Sequence, residues 1–298
     1  EAGRASYHWS PIPVGFAKMV RNPAVNWLYS GEPEESTNGR RLPVPRGKML
    51  GGSSSINGLV FVRGQARDYD TWAQLGNRGW GYREMLGYFR KSERFENGEN
   101  TYHGDAGGYT VSNLRHVNPL SRAFVDAGVA CGYERNDDFG GATEQGFGLY
   151  HVAQNNGRRC SNADAFLHPV ADRANLTVIT RARVLRLALE DKRAVGATYR
   201  KGRFGGEHTV HARREVLLCG GAINSPQLLM LSGIGPREEL EKFHIPVSHE
   251  LPGVGQNLQD HLDTTIIIND TTAQSIGLSL LALPRLIADV FRFFLSRR

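Results

Sequence analysis

The residues best suited to chemistry lie in two glycine-rich blocks. The first runs Pro45-Arg46-Gly47-Lys48-Met49-Leu50-Gly51-Gly52-Ser53-Ser54-Ser55-Ile56-Asn57-Gly58. Its glycines let the backbone approach a flat or anionic ligand. Its Ser and Asn side chains offer short hydrogen-bonding groups near a helix start, where unpaired N–H groups favour phosphate. On these grounds the block is phosphate-loop-like, and a Gly/Ser turn of purely structural use fits it equally well in isolation. It is not a Walker A motif, because no Gly-Lys-Ser/Thr follows four residues after a glycine. The second block, Cys219-Gly220-Gly221-Ala222-Ile223-Asn224-Ser225-Pro226 and onward to Pro236, repeats the logic of apolar strand, Gly-Gly turn and helix.

Further motifs follow in order. Val62-Arg63-Gly64 precedes Asp68-Tyr69-Asp70 and Trp72, and Arg159-Cys160-Ser161 precedes Ala165-Phe166-Leu167. Gly253-Val254-Gly255-Gln256-Asn257-Leu258-Gln259-Asp260-His261 closes the series. With these motifs and both glycine blocks, the chain resembles the glucose-methanol-choline (GMC) oxidoreductases. Within them it most resembles the bacterial choline dehydrogenase and membrane-linked alcohol dehydrogenase branch.

The resemblance implies an α/β fold: part of a Rossmann-like FAD-binding domain of the GMC/PHBH type, with an interleaved α+β substrate domain. It assigns 1–150 to the first part of the FAD-binding domain, with the flavin-contacting segment and a helical insert. The remainder of that domain, with the second signature, falls at 151–260, and 261–298 begins the substrate domain. Glu1 is expected to accept hydrogen bonds from the adenosine ribose hydroxyls. Met49, Leu50, Gly51, Gly52 and Ser53, with Asn57, Gly58, Leu59 and Val60, are expected to line the flavin and its diphosphate. Val184 is expected to meet the adenine through its backbone, and Gly221 and Ala222 to approach the cofactor again. Taken singly, Glu1 reads as an acidic terminus and Val184 as a core strand valine. Ile56 stands where some members carry a histidine that links covalently to the flavin. Isoleucine cannot form that bond, so the implied FAD is noncovalent.

The implied activity is oxidation of a primary alcohol, choline or aliphatic, to an aldehyde. Electrons would pass to a quinone or similar acceptor, or to oxygen in an oxidase. A flavin-free remnant of the fold is the alternative of another class. No Gly-x-Gly-x-x-Gly occurs, and the family's catalytic histidine and its partner have no match among the ten histidines. Both are expected outside this stretch, and no catalytic residue is assigned. His151, His168, His211, His244 and His261 read as surface or structural. The bacterial resemblance implies a place in the cytoplasm or at the cytoplasmic face of the inner membrane.

Positioning these blocks requires a folded scaffold, and 298 residues with 40% hydrophobic and 22% charged side chains can bury a sizeable core. A net charge of +6 is spread without an aromatic-interleaved basic stripe, which argues against nucleic acid. Three widely spaced cysteines without Cys-x-x-Cys indicate neither a disulfide framework nor zinc. Helical spacing predicts helices over Asp68–Gln74, Tyr82–Phe95, Pro119–Cys131, Ser225–Leu231 and Glu238–Phe243. Strands are predicted at Leu176–Thr180, Val184–Leu189, Ala194–Tyr199 and Val216–Leu218. Leu278–Leu295 is apolar but interrupted by Pro284, Arg285, Asp289 and Arg292, so it reads as an amphipathic helix. Such a helix packs on further protein or, as a peripheral contact, on a membrane surface.

Overall fold

The computed structural model describes residues 1–260, 263–267 and 283–296; His261, residues 278–282, Arg297 and Arg298 lie outside them. The chain divides into two compact units, Ser6–Leu176 with Ile268–Arg298, and Glu1–Ala5 with Thr177–Ile267.

In the larger unit, helix α1 (Ala66–Gln74) starts at a reciprocal cap, where the Gln65 N–H donates to Asp68 Oδ2 at 2.8 Å. The helical pattern predicted through Phe95 breaks sooner. Helix α2 (Tyr82–Ser92) gives way to strand β1 (Glu93–Phe95), parallel to β2 (Tyr109–Val111). The cause is alternate burial: Glu93 and Phe95 turn inwards and Arg94 outwards, a period of two that a helix cannot satisfy. Helix α3 (Pro119–Ala130) forms as predicted, with proline in its first turn and Asn118 Oδ1 accepting from the Leu120 N–H at 2.9 Å.

The smaller unit is built on an antiparallel sheet of order β5-β4-β3, comprising β3 (Ala182–Glu190), β4 (Arg193–Lys201) and β5 (Glu207–His211). Strand β5 has no apolar alternation and is exposed throughout, so only its pairing with β4 reveals it. Val184 pairs with Tyr199 and Arg186 with Thr198, which leaves Leu185 as an extra, bulged residue. The strands predicted at Leu176–Thr180 and Val216–Leu218 do not form. Both have strand-like composition, but no ladder takes them up among the described residues, and Leu217 is exposed. Helix α4 (Gly221–Leu231) begins four residues before the predicted start, placing Pro226 inside the helix rather than in its first turn. There it removes the N–H that would bond the Ala222 carbonyl. The short α5 (Arg237–Lys242) follows.

Helix α6 (Leu283–Ser296) exposes Ile287, Phe291 and Leu295 at four-residue intervals. Among the described residues, no helix is long and apolar enough to cross a membrane. Helices and strands are thus mixed along the chain, as an α/β architecture requires.

A buried charge cluster ties β1 into the larger unit. The Glu93 carboxylate, in a residue 1% exposed, accepts from Arg63 Nη2 at 2.6 Å and from the Gly104 N–H at 3.2 Å, with His103 Nδ1 at 3.0 Å. The fully buried His103 stacks on Phe95, their centroids 3.9 Å apart, and sets Nε2 3.1 Å from Asp138. Removing one partner strands the other charges in low dielectric. Glu93→Ala is therefore expected to cost about 3–5 kcal/mol of unfolding free energy, measured by urea denaturation. A loss no larger than that of an exposed ion pair, about 1 kcal/mol, would contradict this account.

Candidate cofactor site

The first glycine block starts on an antiparallel backbone bridge between Asn26 and Gly47, and beyond it is held largely by side chains. Asn26, 1% exposed, accepts through Oδ1 from the N–H groups of Leu28 at 2.9 Å and Arg46 at 3.0 Å. The Lys48 N–H donates to the Val25 carbonyl at 2.7 Å. Met49 and Ile56 then turn inwards with Met19 and Val25 to form an apolar cluster, against which Tyr7 and Trp9 pack. Leu59 is also buried. What Met49 and Leu59 can offer a ligand is therefore their backbone.

Between these anchors the chain reverses tightly. Gly51 (φ +86°) and Gly52 (φ +57°) take left-handed conformations that lead into a 3₁₀ turn over Gly52–Ser55. A Cβ on Gly47 would sit 2.1 Å from the Gly52 carbonyl oxygen, and one on Gly51 would sit 2.4 Å from Ser55 Oγ. The serine hydroxyls close this turn on itself: Ser54 Oγ donates to the Gly51 carbonyl at 2.5 Å and Ser55 Oγ to the Leu50 carbonyl at 2.7 Å. Ser53 Oγ accepts from the Gly47 N–H at 3.0 Å. The opposite side is open, with no atom within 4 Å of where a side chain would project from Gly52 or Gly58. Ser53, Asn57, Gly58 and Val60 are exposed. A small polar shelf of backbone and amide groups results, and it suits a flat, hydrogen-bonding ligand.

Arg159 lies beneath this shelf, 4% exposed. Its Nε donates to the Ser10 carbonyl at 2.8 Å, and its Nη1 donates to the Ser54 carbonyl at 3.1 Å and to Asn57 Oδ1 at 2.6 Å. Asn57 Oδ1 also accepts from the N–H of Leu59 at 3.1 Å, and Leu59 itself holds a left-handed φ of +67°. Burial pulls the Arg159 guanidinium down to about 10. Burial likewise raises the Cys160 thiol and pushes the Tyr109 hydroxyl up to about 12. The sequence pattern contains Arg159 within a motif but assigns it no role. Its neighbours Gly157, Cys160 and Ser161 are small, the one local sign that its side chain turns inwards.

The remaining expected contacts belong to the smaller unit. Glu1 Oε1 accepts from the Gly3 N–H at 2.7 Å. The Glu1 backbone runs beside Ile179–Ala182, its carbonyl accepting from the Ala182 N–H at 2.8 Å. Ala182 therefore points its N–H away from β4, and Val184, two residues along the same strand, points the same way. Leu187 also faces outwards, its N–H donating to Ser232 Oγ at 2.8 Å, and the bulge at Leu185 accounts for the change of parity. Gly221 (φ +86°) and Ala222 open α4, both exposed, with no atom within 4 Å of a side chain built on Gly221.

Of the histidines read as surface or structural, His151 is buried and its pKa is lowered by that burial. His168 pairs with Asp164 at 3.2 Å, and His211 and His244 are exposed. A cavity of about 220 Å³ opens among Arg122, Asp126, Arg135 and Leu149, none of them an expected FAD contact.

Comparison with known proteins supplies the family. The GMC oxidoreductase family matches residues 25–263, which include both glycine blocks. The chain belongs to the GMC oxidoreductase family. It is 41% identical over 290 residues to alcohol dehydrogenase [acceptor] of Pseudomonas putida, covering 96% of this chain and 52% of that protein. It is 47% identical over 269 residues to oxygen-dependent choline dehydrogenase of Yersinia pseudotuberculosis, covering 88% and 47%. An FAD-dependent oxidoreductase from Chaetomium thermophilum superposes with a TM-score of 0.79 at 30% identity, over 87% of this GMC chain and 47% of the other. The chain thus spans about half the length of the curated relatives it matches.

The two kinds of glycine in the block separate in a stability measurement. Gly47→Ala forces a Cβ into the Gly52 peptide and is expected to cost about 1–3 kcal/mol. Gly58→Ala projects into open space and is expected to stay within about 0.5 kcal/mol of the parent. Equal thermal unfolding of the two variants would refute the reading of the turn.

Proposed function

We propose that this chain is part of an FAD-dependent alcohol oxidoreductase that converts a primary alcohol, choline or aliphatic, to its aldehyde and passes electrons to a quinone or similar acceptor. The observation that supports this most is the turn from Gly51 to Gly58, open at Gly52 and Gly58, in a chain similar to choline and alcohol dehydrogenases. Bound FAD supplies the hydride acceptor for the carbinol carbon. The residues of this chain hold and orient. Backbone groups of Met49, Leu50, Gly51, Gly52 and Ser53 serve the diphosphate and flavin, together with Asn57, Gly58, Leu59 and Val60. Glu1 serves the ribose, the outward backbone of Val184 the adenine, and Gly221 and Ala222 a second approach. Ile56, buried in the apolar cluster, offers no nucleophile, so the cofactor is held noncovalently. In this reading 1–150 and 151–260 carry the two parts of the FAD-binding domain and 261–298 begin the substrate domain.

A second reading, electron transfer to oxygen, draws on the Yersinia relative, an oxygen-dependent choline dehydrogenase. Peroxide formation with substrate in air separates it from transfer to a quinone-like acceptor.

The protein in its full reading frame is expected to purify with, or to take up on reconstitution, bound flavin visible in its absorbance. It is also expected to turn over at least one primary alcohol with an artificial electron acceptor. A protein that stays colourless after reconstitution would sink the proposal. Peripheral attachment at the cytoplasmic face of the membrane rests on the exposed stripe Ile287, Phe291 and Leu295 of α6. Flotation with anionic liposomes is the expected result, and its absence removes that part.

A further inference from the structure

We propose that Arg159 is a positioning residue for bound FAD, acting through the Ser54 carbonyl and the Asn57 side chain. This rests on the reading above that the loop from Met49 to Val60 meets the cofactor.

Arginine only donates, in a rigid planar fork. The Asn57 atom that Arg159 Nη1 meets at 2.6 Å must therefore be oxygen, and the Leu59 N–H, at 3.1 Å from the same atom, demands the same assignment. Two inward donors thus fix which way the Asn57 amide is turned. Its NH₂ group is the end that this clamp does not use, on a residue that is itself exposed beside Gly58. Asn57 accordingly presents a hydrogen-bond donor, suited to an acceptor atom on a flat heterocycle. Nη1 also grips the Ser54 carbonyl, and Nε ties the fork to the Ser10 carbonyl. One side chain therefore ties the C-terminal part of the 3₁₀ turn to Asn57 and to Ser10.

Lysine keeps the charge but cannot make these three bonds in one plane. In the full-length holoprotein, Arg159→Lys is expected to weaken FAD retention on the order of tenfold, as for loss of one charged hydrogen bond. The visible circular dichroism of the bound flavin is expected to change with it. Asn57→Ala should reproduce the flavin effects, and the double variant should add little to either single one, since both remove the same link. Val125→Ala, which opens a small cavity in α3 away from the loop, is the control for destabilisation alone. It should lower the melting temperature and leave FAD affinity and the dichroism as in the parent.

If the parent protein takes up no flavin, the underlying functional reading fails and the role of Arg159 falls with it. If the parent binds FAD and Arg159→Lys matches it in affinity and dichroism, the positioning role alone is overturned. Effects of Arg159→Lys no different from those of Val125→Ala overturn it too. Should Arg159→Lys not fold, Asn57→Ala decides the matter, and an unchanged flavin signature there overturns the proposal.

Discussion

Three bonds from the Arg159 guanidinium, to the Ser10 and Ser54 carbonyls and to Asn57, hold the first glycine block beyond the point where its backbone bridge to Asn26 ends. A half-buried loop cannot leave its peptide groups unpaired without losing free energy comparable to the missing hydrogen bonds. Regular strands meet that demand with one another. Here the chain must instead reverse on Gly51 and Gly52 while keeping one face open, and no neighbouring strand can follow such a path. Asn26, the serine hydroxyls and Arg159 supply the partners from beneath. The open face remains available because the burial is one-sided.

The smaller unit reaches a similar end by a different route. Its sheet satisfies β3 on one side through β4, so Val184 turns its peptide groups outwards together with Ala182, and the bulge at Leu185 shifts the parity that sends the Leu187 N–H to Ser232. In the larger unit a local irregularity, the left-handed glycine pair, leaves one face of the turn open. This is economical for recognising a cofactor. Backbone donors and acceptors keep their chemistry whatever side chains surround them, and rigid neighbours fix their directions.

Much of this was legible in the sequence where local pattern carries the information. The helix at Pro119, the helix predicted from Asp68, which starts two residues earlier at Ala66, and the strands at Val184–Leu189 and Ala194–Tyr199 follow from spacing and composition. The glycine blocks declared themselves by composition. The misses share a cause. Glu93 and Phe95 join a strand that turns the Glu93 carboxylate inwards to Arg63, 30 residues away in sequence. Leu176–Thr180 and Val216–Leu218 have strand composition but no ladder among the described residues. Arg159 acts through partners more than 100 residues away. No window of sequence contains both halves of such interactions, so motif order could name the family while the supporting clamp stayed hidden.

The bond from Arg159 to Ser10 spans 149 residues and the Ser10 hydroxyl reaches Ser55 across 45. Contacts of that span form only after the intervening chain has been brought together, at a loop-closure entropy that local helices do not incur. α1, α2 and α3 can nucleate from their own caps, whereas the glycine shelf takes its shape only when the far ends of the larger unit meet. The part of the fold with least regular structure is thus tied to the completion of everything around it, and its geometry reports whether the whole unit has reached the native state.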